Sequence, residues 1–129
     1  MNLVSANEAP KRILIVDDEA DITSTFATLL EMYGYESLCA NNGKDALHLA
    51  LKNQPHIIIS DCMMPVMDGI ELTKQIRLNP ATEHIPVVLM SGAPHMHQLN
   101  EVAHSGFLLK PVKLTDLLST IVTILEKNN

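Results

Sequence analysis

The chain is poor in aromatic, sulfhydryl and basic residues, and each shortage argues against a class of protein. Tryptophan is absent and aromatic residues make up 3% of the 129 positions, so a folded core must be built from aliphatic side chains. Lysine and arginine number 9 against 15 aspartates and glutamates, which gives a net charge of −6. This balance argues against a nucleic-acid-binding surface, which needs clustered basic side chains. The acidity is compatible with a metal-binding pocket and with basic partners.

The two cysteines, Cys39 and Cys62, have neither the spacing of a metal motif nor that of a disulfide framework. We expect both to be reduced, buried thiols of a cytoplasmic protein. No hydrophobic run approaches the ~20 residues that a membrane-spanning helix needs. The N-terminus lacks a basic segment followed by an apolar one, so no signal peptide is predicted. The sequence therefore predicts a cytoplasmic protein without a membrane contact.

What the sequence does have is a strand followed by a helix, five times in succession. Strands are predicted at 13–16, 35–40, 57–61, 87–90 and 107–109, and helices at 20–33, 44–53, 70–78, 95–104 and 115–125. Thr115 is expected to be the N-cap of the last helix. This alternation predicts one α/β domain, a five-stranded parallel sheet with helices on both faces. We expect residues 1–10 to be a flexible tail and residues 11–127 to form the domain.

Four of the five predicted strands end in acidic, hydroxyl or basic residues. Asp17 and Asp18 follow the first strand and Asp61 ends the third. Ser91 follows the fourth strand and Lys110 the fifth. In a parallel sheet these ends lie along one edge, where ligands bind. Each residue alone could be a solvated strand end or the start of a helix, but agreement among four strands favours a common pocket.

The chemistry of such a pocket is coherent. Clustered carboxylates repel one another and stay ionised together only beside a cation. Oxygen ligands suit Mg²⁺, with Mn²⁺ as an alternative ion. With a metal bound, one carboxylate can attack a phosphoryl donor and form an aspartyl-phosphate. A lysine and a hydroxyl group would then stabilise the charge on the phosphoryl oxygens.

The sequence resembles the response-regulator receiver domains of two-component signalling, in particular those like the chemotaxis regulator. The resemblance extends from Lys11 to about Glu126. It is carried by ILIVDDE at 13–19, DCMMPVMDG at 61–69, Ser91 and Lys110-Pro111. It implies the flavodoxin-like, doubly wound (βα)5 fold and a signalling domain in place of a turnover enzyme. Such a domain catalyses only its own phosphorylation and dephosphorylation.

The resemblance also implies the ligands of the metal and of the phosphoryl group. Asp61 would be the phosphoacceptor. Asp18 would bind Mg²⁺ directly, Asp17 would assist through water, and Met63 would offer its backbone carbonyl. Lys110 would bind a phosphoryl oxygen, and the bond from it to the following proline is expected to be cis, which is essentially restricted to proline.

The switch that the family uses maps onto Ser91 and Phe107. Ser91 would hydrogen-bond the phosphoryl group, and Phe107 would turn inward on activation. Phe107 lacks the hydroxyl of the commoner tyrosine. Ser91 replaces the commoner threonine, and Gly92 follows it where alanine is usual. Met63 and Ala93 occupy positions that tune phosphoryl lifetime in the family, and since neither can orient water by a hydrogen bond, we expect slow hydrolysis.

The partners that the resemblance implies are a histidine kinase or histidine phosphotransfer protein upstream in a phosphorelay. A downstream protein target or output domain would contact the predicted helix at 95–104, the last strand and the last helix. A homodimer that forms on phosphorylation is a further expectation, and direct nucleic-acid binding is not. The methionine start and the polar end at 126–129 slightly favour a complete protein or an N-terminal piece.

Other functions remain open from the sequence. A phosphorylation-independent scaffold with the same fold would usually have lost acidic or lysine positions, all of which are present. An aspartyl-phosphate phosphatase would carry a second aspartate where Met63 stands. A flavin-binding module would need a Ser/Thr-rich phosphate loop where Asp17, Asp18 and Glu19 would repel a phosphate. His95, His97 and His104 are expected to be solvated side chains without a metal.

Overall fold

The computed structural model describes residues 9–92 and 104–127 of the chain. Within these residues the strands are β1 (Arg12–Val16), β2 (Glu36–Ala40), β3 (Ile57–Asp61), β4 (Val87–Ser91) and β5 (Gly106–Leu109). The helices are α1 (Ala20–Met32), α2 (Gly43–Asn53), α3 (Gly69–Leu78) and α4 (Leu114–Lys127). The helix predicted at 95–104 falls outside the described residues apart from His104, as do residues 1–8 of the predicted tail.

The five strands form one parallel sheet in the order β2-β1-β3-β4-β5. This arrangement confirms the predicted parallel sheet and its doubly wound order. The winding reverses between β1 and β3, and ligands bind at such a switch point in open α/β sheets. The register pairs Val16 with Ser60, so the residues that follow them emerge side by side at the carboxyl edge.

Alternate side chains of each buried strand enter two separate hydrophobic cores. Helices α2 and α3 cover one face of the sheet, and we call their cluster the α2/α3 core. Its fully buried members include Leu14, Val16, Ala46, Ala50, Ile58, Leu72, Ile76 and Leu89. Helices α1 and α4 cover the opposite face, and their α1/α4 core includes Ile13, Ile15, Leu30, Ile57, Ile59, Val88, Leu117 and Ile121. Strands buried on both faces explain why their sequences are continuous aliphatic runs.

Two helices begin at N-cap residues that the sequence pattern does not predict. Asn42 and Asp68 cap α2 and α3, because each side chain accepts a hydrogen bond from a backbone N–H three residues later, at 2.8 Å. The prediction that Thr115 caps the last helix is wrong. The N–H of Leu117 donates to the carbonyl of Lys113 at 3.0 Å, so helical bonding starts earlier and Thr115 lies within the first turn.

The cysteines differ from each other in burial. Both are free thiols, and Cys62 is buried. The prediction that Cys39 is buried is wrong, because this residue lies on the edge strand β2, which is only partly covered. Among the described residues no helix combines the length and the apolar character needed to cross a bilayer.

Candidate functional site

Three carboxylates meet at the carboxyl edge of the sheet. One side-chain oxygen from each of Asp17, Asp18 and Asp61 lies within 4.8 Å of the others. Asp17 is fully buried and Asp61 is 6% exposed, whereas Asp18 faces solvent. The adjacency follows from the register, because Asp17 and Asp61 are the residues after the paired Val16 and Ser60.

Lys110 reaches this cluster from the end of β5, which is separated from β3 by β4. Its Nζ lies 3.1 Å from Oδ2 of Asp17 and 3.2 Å from Oδ2 of Asp61. The backbone N–H of Lys110 donates to the carbonyl of Ser91 at 2.9 Å, which continues the β4–β5 pairing by one residue and fixes the lysine at the edge. The Lys110–Pro111 bond is cis, as the resemblance implies.

The charges of the cluster are unbalanced. Burial raises the pKa of Asp61, the Lys110 ammonium opposes this shift, and the Asp17 carboxylate adds to it. Burial alone would lower the pKa of Lys110, but the hydrogen bonds and charges of Asp17 and Asp61 raise it overall. Two of the three clustered carboxylates, Asp17 and Asp61, therefore share one ammonium group. The excess negative charge and the all-oxygen donor set fit a hard divalent cation.

Asp17 and Asp61 have different surroundings. The Oδ1 of Asp17 accepts a hydrogen bond from the N–H of Glu19 at 3.0 Å, and its Oδ2 faces Lys110. Both oxygens of Asp17 are thus already occupied by protein donors. Within residues 9–92 and 104–127, the one contact of Asp61 Oδ1 with a protein donor is a long one, 3.5 Å from the N–H of Met63. Asp61 is the buried carboxylate whose second oxygen is less constrained.

A closed loop follows Asp61 and carries Met63. The N–H of Gly69 donates to the carbonyl of Cys62 at 3.0 Å and closes the loop. A Cβ on Gly69 would lie 2.3 Å from the Asp61 carbonyl oxygen, so no larger residue fits there without a shift. Met63 is 68% exposed and stands at the open side of the cluster. The sequence pattern gives no signal of this close approach between Gly69 and the Asp61 carbonyl.

Cys62 contributes no second nucleophile to the site. Its side chain packs in the α2/α3 core. Burial, followed by the nearby Asp61 and Asp68 carboxylates, raises the pKa of the Cys62 thiol to about 11. The thiol is therefore protonated at neutral pH and unreactive.

Two further predicted residues, Ser91 and Phe107, lie on the neighbouring strands β4 and β5. Ser91 ends β4, next to β3, and is buried. Phe107 lies further back on β5, is half-buried, and packs against the α2/α3 core. The structure thus brings together Asp17, Asp18, Asp61 and Lys110, and it places Ser91 at the same edge. Ala93 is not among the described residues.

Comparisons with known proteins agree with this geometry. A family model for the response regulator receiver domain matches residues 13–122. The regulatory protein AtoC of Escherichia coli is 37% identical over 112 residues, which cover 84% of this chain and 24% of AtoC. The polar-differentiation response regulator DivK of Brucella anthropi is 29% identical over 119 residues, which cover 90% of this chain and 97% of DivK.

Solved structures give the same result. The chemotaxis response regulator CheY4 of Vibrio cholerae superposes with a TM-score of 0.83 at 30% identity, covering 89% of this chain and 98% of that chain. A response regulator from Chloroflexus aurantiacus gives a TM-score of 0.84 at 29% identity, over 91% and 98% of the two chains. This chain spans 24% of AtoC and 52% of the regulator PhoB of Pseudomonas aeruginosa, so part of the length of those relatives has no counterpart here.

Proposed function

This chain belongs to the response regulator receiver domain family, and from that premise we propose that Asp61 is its phosphoacceptor. The observation that carries the proposal is the cluster itself. Asp61 is a buried carboxylate 3.2 Å from a lysine ammonium and within 4.8 Å of two further carboxylates. Of the two buried carboxylates, Asp61 is the one whose Oδ1 lacks a short hydrogen bond from the protein among the described residues.

The proposed reaction is phosphoryl transfer from a phosphohistidine. A carboxylate oxygen of Asp61 attacks the phosphorus, a P–O bond forms, and the P–N bond to the donor imidazole breaks. The electron pair of the broken bond leaves with the imidazole, which takes up a proton, and Asp61 becomes an acyl-phosphate. Lys110, already within reach of Asp61, binds a phosphoryl oxygen and offsets its charge. The donor is a histidine kinase or a histidine phosphotransfer protein.

The same residues fit a divalent cation. We propose that Asp18, Asp61 and the backbone carbonyl of Met63 hold Mg²⁺, or Mn²⁺ in its place. Asp17 assists through water, since its own oxygens already accept hydrogen bonds from Glu19 and Lys110. When bound, the ion would neutralise the excess negative charge and stabilise the charge on the phosphoryl oxygens during transfer. A receiver structure from Pseudomonas aeruginosa is described with magnesium in its active-site cleft, although at 22% identity it supports only the fold here.

The proposed output of the domain is a change, on phosphorylation, in the surface that binds its partners. We propose that Ser91 hydrogen-bonds the acyl-phosphate and that Phe107 responds by moving toward the α2/α3 core, which it already contacts. The surface around β5 and α4 then binds a downstream protein or output domain, or a second phosphorylated copy. We further propose that residues 11–127 form the folded unit and that the protein acts in the cytoplasm, where a kinase obtains its phosphoryl group from ATP.

The test is intact-mass spectrometry after incubation with a small phosphodonor, with and without Mg²⁺. Wild type should gain one phosphoryl group only when Mg²⁺ is present, and Asp61→Asn should gain none. Asp116→Asn is the matched control, because Asp116 is an exposed aspartate in the first turn of α4 and should leave the adduct unchanged.

Two results would overturn the proposal. A folded wild type that gains no adduct would favour a phosphorylation-independent scaffold. An adduct that persists in Asp61→Asn would place the phosphoryl group on another residue. Loss of the adduct in Lys110→Met, with circular dichroism unchanged, would support the role of the lysine.

A further inference from the structure

The first residue of α2 contacts the loop that follows the phosphoacceptor strand. The N–H of Gly43 donates to the carbonyl oxygen of Met67 at 3.0 Å. Gly43 is buried, and Asn42 before it caps the helix. Helix α2 therefore contacts the β3–α3 loop directly through its first residue.

The contact leaves no space for a side chain. A Cβ on Gly43 would lie 2.4 Å from the carbonyl oxygen of Met67 and 2.8 Å from its Cγ. Among the described residues, a positive φ occurs only at Gln54, Val66 and Gly34, so the backbone of Gly43 does not itself require glycine. Inside a helix alanine is favoured over glycine by about 1 kcal/mol. The close approach of Met67 is therefore the reason for glycine at this position.

Hydrogen bonds within the β3–α3 loop restrict how far it can relax if Met67 is displaced. It is closed at its base by the bond from Gly69 to the Cys62 carbonyl, 3.0 Å long. Near its tip, the N–H of Met67 donates to the carbonyl of Pro65 at 2.8 Å around Val66. Met63 lies in the same closed loop, so we expect a displacement of Met67 to reach the Met63 backbone.

We propose that Gly43 is a positioning residue for the metal site, because its contact with Met67 sets the place of the Met63 carbonyl. This inference rests on the proposed function, in which that carbonyl is a ligand of the metal. Gly43 belongs to α2 and is distant in sequence from every acidic ligand, yet it would contribute to the affinity of the site for the metal.

The first test is the affinity for Mg²⁺ alone, measured by calorimetric titration without a phosphodonor. Gly43→Ala should weaken Mg²⁺ binding about 10-fold, the effect usual for a residue that orients a ligand. Gly106→Ala is the matched control, since its Cβ would meet Val88 and Ile124 at ordinary distances of 3.6 and 3.7 Å. Both substitutions restrict the backbone of the unfolded chain to the same extent. A difference in Mg²⁺ affinity between the two variants therefore reports the Gly43–Met67 contact.

A double variant tests which part of Met67 matters. Met67→Ala removes the Cγ but keeps the carbonyl oxygen, which lies nearer to the added Cβ. Affinity should therefore stay weak in Gly43→Ala with Met67→Ala, relative to Met67→Ala alone. Recovery of affinity in the double variant would assign the clash to the Met67 side chain beyond its Cβ, and a positioning role for the contact with the Met67 carbonyl would be overturned.

A measurement on the wild type covers the case in which Gly43→Ala does not fold. The amide resonance of Gly43 should shift on addition of Mg²⁺ and saturate with the same dissociation constant as the calorimetric titration, while the Gly106 amide stays in place. A Gly43 amide that does not respond would overturn the inference.

The outcomes separate the two proposals. If wild type binds Mg²⁺ and Gly43→Ala binds it equally well, only the positioning role fails. If wild type binds no Mg²⁺, the metal site in the proposed function fails, and the positioning role fails with it.

Discussion

At the scale of single residues, Lys110 holds the site together by its contacts with two buried carboxylates. Its ammonium group lies 3.1 Å from Asp17 and 3.2 Å from Asp61. A buried carboxylate without a cation or a donor is costly, so Asp17 depends on this lysine and on the Glu19 N–H. Asp61 and the exposed Asp18 are the two carboxylates that we propose receive the ion and the phosphoryl group.

Met63 offers a test of phosphoryl lifetime. Its side chain is exposed, and neither its thioether nor the methyl group of Ala93, a residue outside the described ranges, can orient water by a hydrogen bond. Met63→Asn combined with Ala93→Glu should speed hydrolysis of the acyl-phosphate about tenfold, which corresponds to ~1.4 kcal/mol of activation free energy. The decay of the phosphorylated mass reports this rate. Met32→Asn is the control, since Met32 is 75% exposed at the end of α1. An unchanged rate of acyl-phosphate hydrolysis in the double variant would refute this prediction.

His56 lies at the opposite edge of the sheet and links β1 to the start of β3. Its Nδ1 accepts a hydrogen bond from the Arg12 N–H at 2.9 Å, which requires that nitrogen to be unprotonated. Burial lowers the pKa of His56, the charges of Arg12 and Lys11 lower it further, and Glu36 opposes them. The folded protein therefore favours the neutral imidazole.

This lowered pKa predicts how stability depends on pH. The unfolded chain takes up the proton first, so the contribution of His56 is full above the unfolded pKa of about 6.5 and is lost as pH falls toward the folded pKa. The free energy of unfolding of wild type, relative to His56→Gln, should decrease from pH 7.5 to pH 5.5 in urea titrations. Parallel pH profiles for the two proteins would contradict this assignment.

At the scale of elements, the turn between β3 and α3 contains a strained residue. The N–H of Met67 donates to the carbonyl two residues back, and the φ of Val66 between them is 71°, the pattern of a classic γ-turn. A β-branched side chain is disfavoured at such a φ. Since Val66 is 82% exposed, its side chain gains little packing energy in exchange.

Val66→Gly should therefore stabilise the protein. Relief of about 1–2 kcal/mol of strain exceeds the roughly 0.5–1 kcal/mol cost of a more flexible unfolded chain, so the net gain should reach up to about 1 kcal/mol in urea unfolding. Val66→Ala keeps a Cβ in the same conformation and should gain much less. A loss of stability in the glycine variant would mean that the valine side chain contributes contacts that outweigh the strain.

The strands and most helices could be predicted because the signal is local. Aliphatic runs gave each strand to within one or two residues, and the helical spacing gave α1 to α3 equally well. The start of α4 was missed because Thr115 has a side chain typical of a cap, while the backbone bonds begin at Lys113. The exposure of Cys39 was missed because burial of an edge strand depends on what covers it, which no local pattern reveals.

At the scale of the whole molecule, the charge of −6 and the acidic cluster predict stabilisation by Mg²⁺. An ion that binds only the folded state at a hundred times its dissociation constant adds about 2.7 kcal/mol to the free energy of unfolding. We expect urea unfolding of wild type to show this increase, and Asp18→Asn to lose most of it. NaCl at matched ionic strength is the control for screening, and an equal effect of both salts would argue against a specific site.

The candidate site was predictable in composition but only partly in geometry. Parallel topology alone implied that Asp17, Asp61 and Lys110 meet at one edge. The sharing of a single ammonium by two buried carboxylates needed coordinates, because it depends on side-chain reach. The contacts of Gly43 and Gly69 with backbone carbonyls also needed coordinates, since glycine before or within a first helical turn has many uses and sequence does not say what approaches it.

The ion pair between Lys110 and Asp17 joins positions 93 residues apart in the chain. Asp61 is synthesised well before the lysine that completes its surroundings. On the ribosome, where domains fold as units while the chain emerges, a nascent polypeptide long enough to contain Asp61 still lacks the ammonium group of Lys110. Products that end before Lys110 would thus carry the acidic residues without their ammonium partner, and under the proposed function we expect them not to be phosphorylated.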